Sequence, residues 1–429
     1  MAFLNAIKKY WQETGIIYAG RFKKFVLTAP FWILLIAVAM LATGIIRYNI
    51  LTDARSEQYM ADIWSQDSSV DFRQLTVFAR GYRSGGSIPV PIYSKGISLK
   101  RADITAIRTN LQSVVDAGNR DKVTGLDDEG NPRGWTDCYS TFYDSSLRRA
   151  DLDREPKESD FFPAQIVAVG GNYSAFHPFM YMSGGFLQEK CVDPDQIVLN
   201  DALAWQLFRS CDVVGYRVVL EGQEFIVAGV VREYDSKIDR EVEALEPRAY
   251  IYFNALEMMA TSTLQSPLGT ESSGAPGADA TALSNTSSGS STLSSYECAI
   301  TCYEAMLPEL VKGVANTDIK NSIDGYSETD PQFYVISNTD RFNVYNVWTY
   351  MIPFGEIDEK VKDYEFPYWE RASQLTITHL FVDEVLVLAG SFLLIVGIAT
   401  TVLRFRKKGW DVIAKVDTEE EKESEENSN

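Results

Sequence analysis

The sequence predicts an α+β domain carried on two membrane-spanning helices, and three observations predict it. Two uncharged apolar runs lie towards opposite ends of the 429-residue chain. The stretch between them mixes strand and helix patterns without a regular βαβ alternation. Within that stretch, "VGYRVVLEGQEFIVAGVV" (214–231) reads as a β-hairpin: Val218 and Leu220 alternate with less apolar neighbours, Gly222 supplies the turn, and Phe225 and Val227 lie on the return strand.

Residues 1–24 form an amphipathic N-terminal segment, with Phe3, Leu4, Ile7 and Trp11 on one face and Lys8 and Lys9 elsewhere. The first span is "FVLTAPFWILLIAVAMLATGII", residues 25–46; its 22 residues carry no charge. At ~1.5 Å per residue they cross a hydrocarbon core of ~30 Å. Pro30 sits in the first turns, where a missing N–H costs least. The run is too long for a signal-peptide core, and "RYNILTDARSEQ" follows it in place of a small-residue cleavage site, so it is retained as a span.

The helix is expected to continue to about residue 62 and to be followed by a strand, "FRQLTVFARGY". Residues 98–118 read as a helix with Ser98 as its cap and Ile104, Ile107 and Leu111 on one face. A polar loop (119–134) precedes strands at 161–171 and 195–200. "DALAWQLF" is a short helix started by Asn200 or Asp201. The hairpin and a strand over 248–256 come next. Residues 261–295 are rich in Ser, Thr, Gly and Ala and bury too little to offset chain entropy, which predicts a flexible insert. "YECAITCYEAML" reads as a strand, "PELVKGVANTDI" as a helix with Pro308 in its first turn, and "QFYVISN" as a strand. "PYWERASQLTITHLFVDE" is a helix leading into the second span, "VLVLAGSFLLIVGIATTVL" (385–403).

Lys8, Lys9, Arg21, Lys23 and Lys24 precede the first span, and Arg404, Arg406, Lys407 and Lys408 follow the second. Both termini are therefore expected in the cytoplasm, with the domain 47–384 outside the cell membrane. The tail 404–429 is basic and then acidic; "DTEEEKESEE" is its solvated end. A net charge of −19 argues against a nucleic-acid partner, whose phosphates demand basic surface.

The run 179–235 resembles the MacB-type periplasmic core domain of the MacB/FtsX-like ABC transporter permeases. Ser183-Gly184-Gly185-Phe186 stands at the family's first turn, with Gly185 where Arg is usual. Ile197-Val198-Leu199-Asn200 matches its strand, and Leu203-Ala204 with Leu207-Phe208 its helix. Val214-Gly215-Tyr216 matches its turn, and Val227-Ala228-Gly229-Val230-Val231 the end of its hairpin. "EPRAYIYFNAL" resembles the next strand and "GISLKRADITAIRTNL", more weakly, an early helix. The resemblance implies a permease-like subunit working with a separate ABC ATPase by mechanotransmission. It also implies that Arg404, Arg406, Lys407 and Lys408 stand near the ATPase contact, with Lys407-Lys408 at a position the family makes acidic. The usual member has four spans, one before the outer domain and three after. This chain shows two, so further permease chains are expected to supply the rest.

No catalytic, cofactor or metal site is expected. There is no G-x-x-x-x-G-K-[ST], and the Gly pairs at 85–86, 170–171 and 184–185 read as turns. The two histidines, His177 and His379, are far apart in sequence. His379 and Asp383, four apart on a helix and next to Glu384, read as a polar cap at the mouth of the second span. Cys191 precedes a strand and Cys211 follows the helix that returns along it, so a disulfide between them is expected. Cys298 and Cys302 would lie ~13 Å apart on a strand, too far to bridge each other. Either could pair with Cys138, and an odd count of five leaves a thiol over. The alternative to a transporter subunit is a membrane-anchored module whose outer domain binds a partner without transport. No acid–base or nucleophile constellation supports an enzyme.

Overall fold

A computed structural model describes residues 26, 28–66, 70–80, 90–119, 134–152, 154–190, 193–233, 236–242, 246–265, 297–309, 311–328, 332–352 and 364–426. The chain divides into a mixed unit, Ala54–Thr376, and a helical unit made of residues 1–53 and 377–429. This is the α+β arrangement the patterns predict.

In the mixed unit a 3₁₀ turn (Ser56–Gln58) and α2 (Met60–Trp64) lead into β1 (Phe72–Ala79). There follow α3 (Arg101–Asn119), β2 (Thr136–Arg149), β3 (Phe162–Gly171), α4 (Tyr173–Phe176) and β4 (Met180–Gly184). Next are β5 (Gln196–Asn200), α5 (Asp201–Phe208), β6 (Arg217–Leu220), β7 (Gln223–Arg232), α6 (Lys237–Glu241) and β8 (Arg248–Tyr252). Then come α7 (Phe253–Gln265), β9 (Cys302–Pro308), α8 (Val314–Ser322), β10 (Phe333–Ser337) and α9 (Val344–Met351). The strands form one sheet in the order β10-β1-β9-β2-β3-β8-β5-β7-β4, while β6 pairs with both β2 and β7. That double pairing closes β2-β3-β8-β5-β7-β6 into a ring. β2 is long enough to give one stretch of its edge to β9 (Thr136–Ser140) and another to β6 (Leu147–Arg149). Inside, Ile166, Ile197, Leu220, Phe225, Val227 and Ile251 share a face and are buried in one core.

The hairpin forms as expected. Leu220 faces Gln223 across a two-residue turn, with Glu221 at φ 49° and Gly222 at φ 84°, the paired positive φ that matches strand twist. Asn200 caps α5 by accepting from the Leu203 N–H at 2.9 Å.

Several local expectations change. The helix after the first span ends at Asp53 and does not run to residue 62. Ser98 is not a helix cap: its hydroxyl accepts the Ser94 N–H at 3.2 Å, and Asp103 accepts that of Lys100 at 2.9 Å, just before α3 begins. The strand at 248 stops at Tyr252, and the chain turns directly into α7, which runs to Gln265. The rest of the Ser/Gly-rich stretch, the Gly85–Gly86 pair and most of the loop 119–134 fall outside the described residues. Pro308 ends β9, and the helix after it begins only at Val314.

The glycines at 170–171 and 184–185 are not free turns. Gly170 and Gly171 close β3, and Gly184 closes β4 opposite Gly229 of β7, next to a register shift at Tyr181/Ser183. A Cβ on Gly229 would overlap the Gly185 carbonyl oxygen, and one on Gly184 would overlap that of Ala228. Backbone is on both sides, so neither neighbour can yield cheaply. Gly229→Ala is expected to cost about 1–3 kcal/mol, read as a lowered Tm of the full chain.

The helical unit contains α1 (Ala29–Asp53) and the part of α10 (Tyr368–Glu426) beyond Thr376. Both helices are long and apolar enough to cross a membrane, with mean hydropathy 2.3 and 2.5 over their best windows. Only 17% and 11% of those windows is buried, unlike a core helix of a soluble domain. They run antiparallel and meet through small residues. A Cβ on Gly44 would come 2.6 Å from Val387, and one on Gly397 2.7 Å from Leu34. Arg47 pairs with the buried Asp383 at 3.0 Å, a structural use for that carboxylate.

Candidate functional site

The functional side chains gather where the two ends of the mixed unit, residues 55–58 and 364–376, lie on its sheet. Buried charges join these ends to α6, to the loop after β10 and, through Arg248, to β8. At the first end, Arg55 donates to Asp239 at 2.6 Å and to Ser236 at 2.9 Å, with Glu57 at 3.4 Å. Asp239 is held in turn by a reciprocal capping box with Ser236 at the start of α6.

At the last end, Arg341 and Glu370 form a buried two-pronged pair at 2.6 and 2.7 Å. Gln374 also donates to Glu370, at 2.8 Å. Arg248, fully buried at the start of β8, pairs with Glu233 and lies 3.7 Å over the ring of Tyr368. The Tyr368 and Tyr250 hydroxyls are 3.2 Å apart. Gln58 donates to Ser373 at 3.3 Å, so the two ends also touch each other.

His177, between α4 and β4, reaches Glu304 on β9 with Nε2 at 2.6 Å from the carboxylate. Thr76 (3.4 Å) and the Cys138 thiol (3.6 Å) donate to the same group. The Trp369 ring stands 4.8 Å from that of His177 and 5.7 Å from Phe78, which Phe366 meets edge-on at 5.0 Å. A cavity of about 30 Å³, room for one water, lies between Arg55, Glu57, His177, Glu233, Asp239 and Trp369.

Burial pushes the Glu57 carboxyl above its ordinary 4.5, and the pull of Arg55 does not cancel it. A carboxyl whose folded pKa exceeds its unfolded one supports folding fully only below the unfolded value. That support is lost as pH rises through the folded value. Glu57→Gln is therefore expected to raise the Tm of the full chain at pH 8, with the gain vanishing as pH falls towards 4.5.

A larger cleft of about 1120 Å³ lies beside α3 and the end of β3. Its main polar groups bind one another. Arg108 grips Asp137 at 2.7 and 2.8 Å, Tyr303 donates to Asp137 at 2.9 Å, and Trp135 donates to Gln112 at 2.7 Å.

Of the residues singled out in the sequence, Cys191 lies outside the described residues. Cys211 is half-buried after α5, and its carbonyl accepts from Ser183 at 2.6 Å. Cys138, Cys298 and Cys302 are buried free thiols, so Cys138 pairs with neither of the other two. Arg404, Arg406 and Lys407 are exposed on α10, and the side chain of Lys408 lies outside the described residues. Among the described residues no group of three or more His, Cys, Asp and Glu is placed to hold a metal ion. The paired charges Arg55, Asp239, Glu233, Arg248, Arg341 and Glu370 were not singled out. Their one signal is a charge set beside aromatic residues, such as Glu370 after Tyr368-Trp369 or Arg248 in "PRAYIYF".

No family model and no curated protein sequence matches the chain. Among solved structures it is similar to the periplasmic region of MacB from Actinobacillus actinomycetemcomitans, with 12% identity and a TM-score of 0.34 over 62% of this chain and 88% of that one. It is also similar to the extracellular domain of the noncanonic ABC-type transporter YknZ from Gram-positive bacteria, with 10% identity and a TM-score of 0.33 over 61% and 99%.

Proposed function

We propose that the chain is a permease-like membrane subunit of an ABC transporter of the MacB/FtsX type, acting with a separate ATPase and further permease chains. The observation that supports this most is the pair of buried, charge-locked ends. Both lie at the points where the mixed unit continues in sequence into apolar helices. A domain that only needed an anchor would not require both of its ends to be locked to it by buried charges. One that is to be reshaped by moving helices requires it. The family resemblance agrees: 197–200, 203–208 and 217–231 fold as β5, α5 and the β6–β7 hairpin, the strand, helix and hairpin in the order it implies.

In this reading both termini are cytoplasmic and residues 47–384 lie outside. Arg404, Arg406, Lys407 and Lys408 touch an acidic surface of the ATPase. Cys211, whose thiol is free in the structure, joins Cys191 in a disulfide on oxidation, to be seen as one linked peptide pair in a non-reducing digest. A free Cys191 there would remove it. The test of the function is extraction of the full chain into native lipid discs, followed by photolabelling with azido-ATP. Recovery of a labelled partner together with further membrane subunits is expected. A lone, unlabelled chain under every extraction condition would favour the anchored binding module.

A further inference from the structure

We propose that the cleft beside α3 and the end of β3 binds an uncharged, hydroxyl-rich ligand, a segment of glycan, seated on the indole of Trp135. At about 1120 Å³ it is as large as the clefts that take drug-sized ligands. One wall is the face of α3 on which Arg108, Gln112 and Asp116 follow one another at helical spacing. These side chains are held in place before any ligand arrives. Arg108 is fixed by Asp137 at 2.7 and 2.8 Å, and Tyr303 holds Asp137 in turn. Gly171, at φ 74°, leaves bare backbone under this pair; a Cβ there would come 3.2 Å from the Arg108 guanidinium. Trp135 donates its indole N–H to Gln112 at 2.7 Å, and Gln112 donates to Asp116 at 2.7 Å. The indole is thereby fixed at its nitrogen edge and lines the cleft half-buried. Two groups are left over for a ligand: Arg108 Nη1, to which no described residue bonds, and the second oxygen of the exposed Asp116.

The class of ligand follows from these features. The lining residues carry two cations, Arg108 and Lys190, and three carboxylates, Asp116, Asp137 and Glu189. Arg108 and Asp137 offset each other, so no surplus of positive charge selects an anion. Among the described residues no group of three or more His, Cys, Asp and Glu is placed to take a metal ion. Donors and acceptors are interleaved, a pattern completed by hydroxyl groups, each of which both donates and accepts. The ring of Trp135 offers its electron-rich face to the C–H side of a sugar. An extended peptide would need a free main-chain edge, and the main chain here is spent: α3 bonds within itself, and β3 pairs with both β2 and β8. Such a site serves a transporter subunit and an anchored module alike.

The test is titration of the full chain in lipid discs with maltotriose, cellotriose and chitotriose, followed by calorimetry and tryptophan fluorescence. At least one of the three is expected to bind with a Kd of about 1 mM or tighter. Trp135→Ala is expected to weaken it about tenfold or more. Trp135→Phe keeps a ring face, so it should weaken binding about threefold or less while removing the fluorescence change. That second variant keeps the test decisive even if Trp135→Ala misfolds. Absence of binding by all three sugars, or binding and fluorescence that both variants leave unchanged, overturns the proposal. So does tighter binding of the trimer of galacturonic acid, which would mean an anion site, or of trialanine, which would mean a peptide site. Binding that appears only when residues 120–133 are replaced by a short Gly/Ser linker would mean that the chain's own segment occupies the cleft, and overturns it too.

Discussion

Arg341→Leu is expected to cost the full chain about 3–5 kcal/mol, because it leaves the Glu370 carboxylate buried with only Gln374 to bond it. At a few degrees per kcal/mol for a unit of this size, Tm should fall by roughly 10 °C. The loss comes from stranding a charge, not from removing a net attraction. Replacing both residues, Arg341→Leu with Glu370→Leu, should therefore recover most of the stability. Thermal melts of the single and double variants in lipid discs check this. A single variant that melts within a degree of the parent would mean that the pair does not hold the last end of the domain. An equally unstable double variant would mean that the charge is not what matters.

Much of the fold is legible in the sequence. The hairpin is carried by local chemistry: alternation on both strands and a glycine at the one turn position that needs it most. The same holds for α5, whose cap residue directly precedes its apolar run. The two spans are legible because lipid tolerates so little charge. What escapes detection depends on partners distant in the chain. β2 is the central strand of the sheet, yet "TDCYSTFYDSSLRR" carries Ser, Asp and Arg at a density that reads as loop. It is a strand because β3, β9 and β6 pair with it. From the sequence alone Gly184 reads as a turn residue and Gly229 as part of the end of a hairpin strand. They matter because two backbones, some 45 residues apart in sequence, approach too closely for a Cβ. The charged ends are hidden for the same reason. Arg55 and Asp239, or Arg341 and Glu370, are ordinary surface residues until the fold buries them together.

In the function proposed above, the two ends of the mixed unit shift against each other when the apolar helices move. It is tested most directly by joining them. Gln58 Nε2 reaches Ser373 Oγ at 3.3 Å, and Gln58→Cys with Ser373→Cys gives two thiols that a short bis-thiosulfonate linker, which makes up the lost length of the Gln side chain, joins through reducible disulfides. Cys138, Cys298 and Cys302 are buried and do not compete for the new thiols, and Cys191→Ser with Cys211→Ser in both the parent and the test chain removes the remaining two. In the proposed complex with an ATPase, closure of the pair by the linker is expected to lower ATP hydrolysis about tenfold or more, a barrier change of ~1.4 kcal/mol or above. Reduction should restore the rate, and the parent chain should not respond to either treatment. Hydrolysis that continues unchanged with the pair fully linked would contradict the claim.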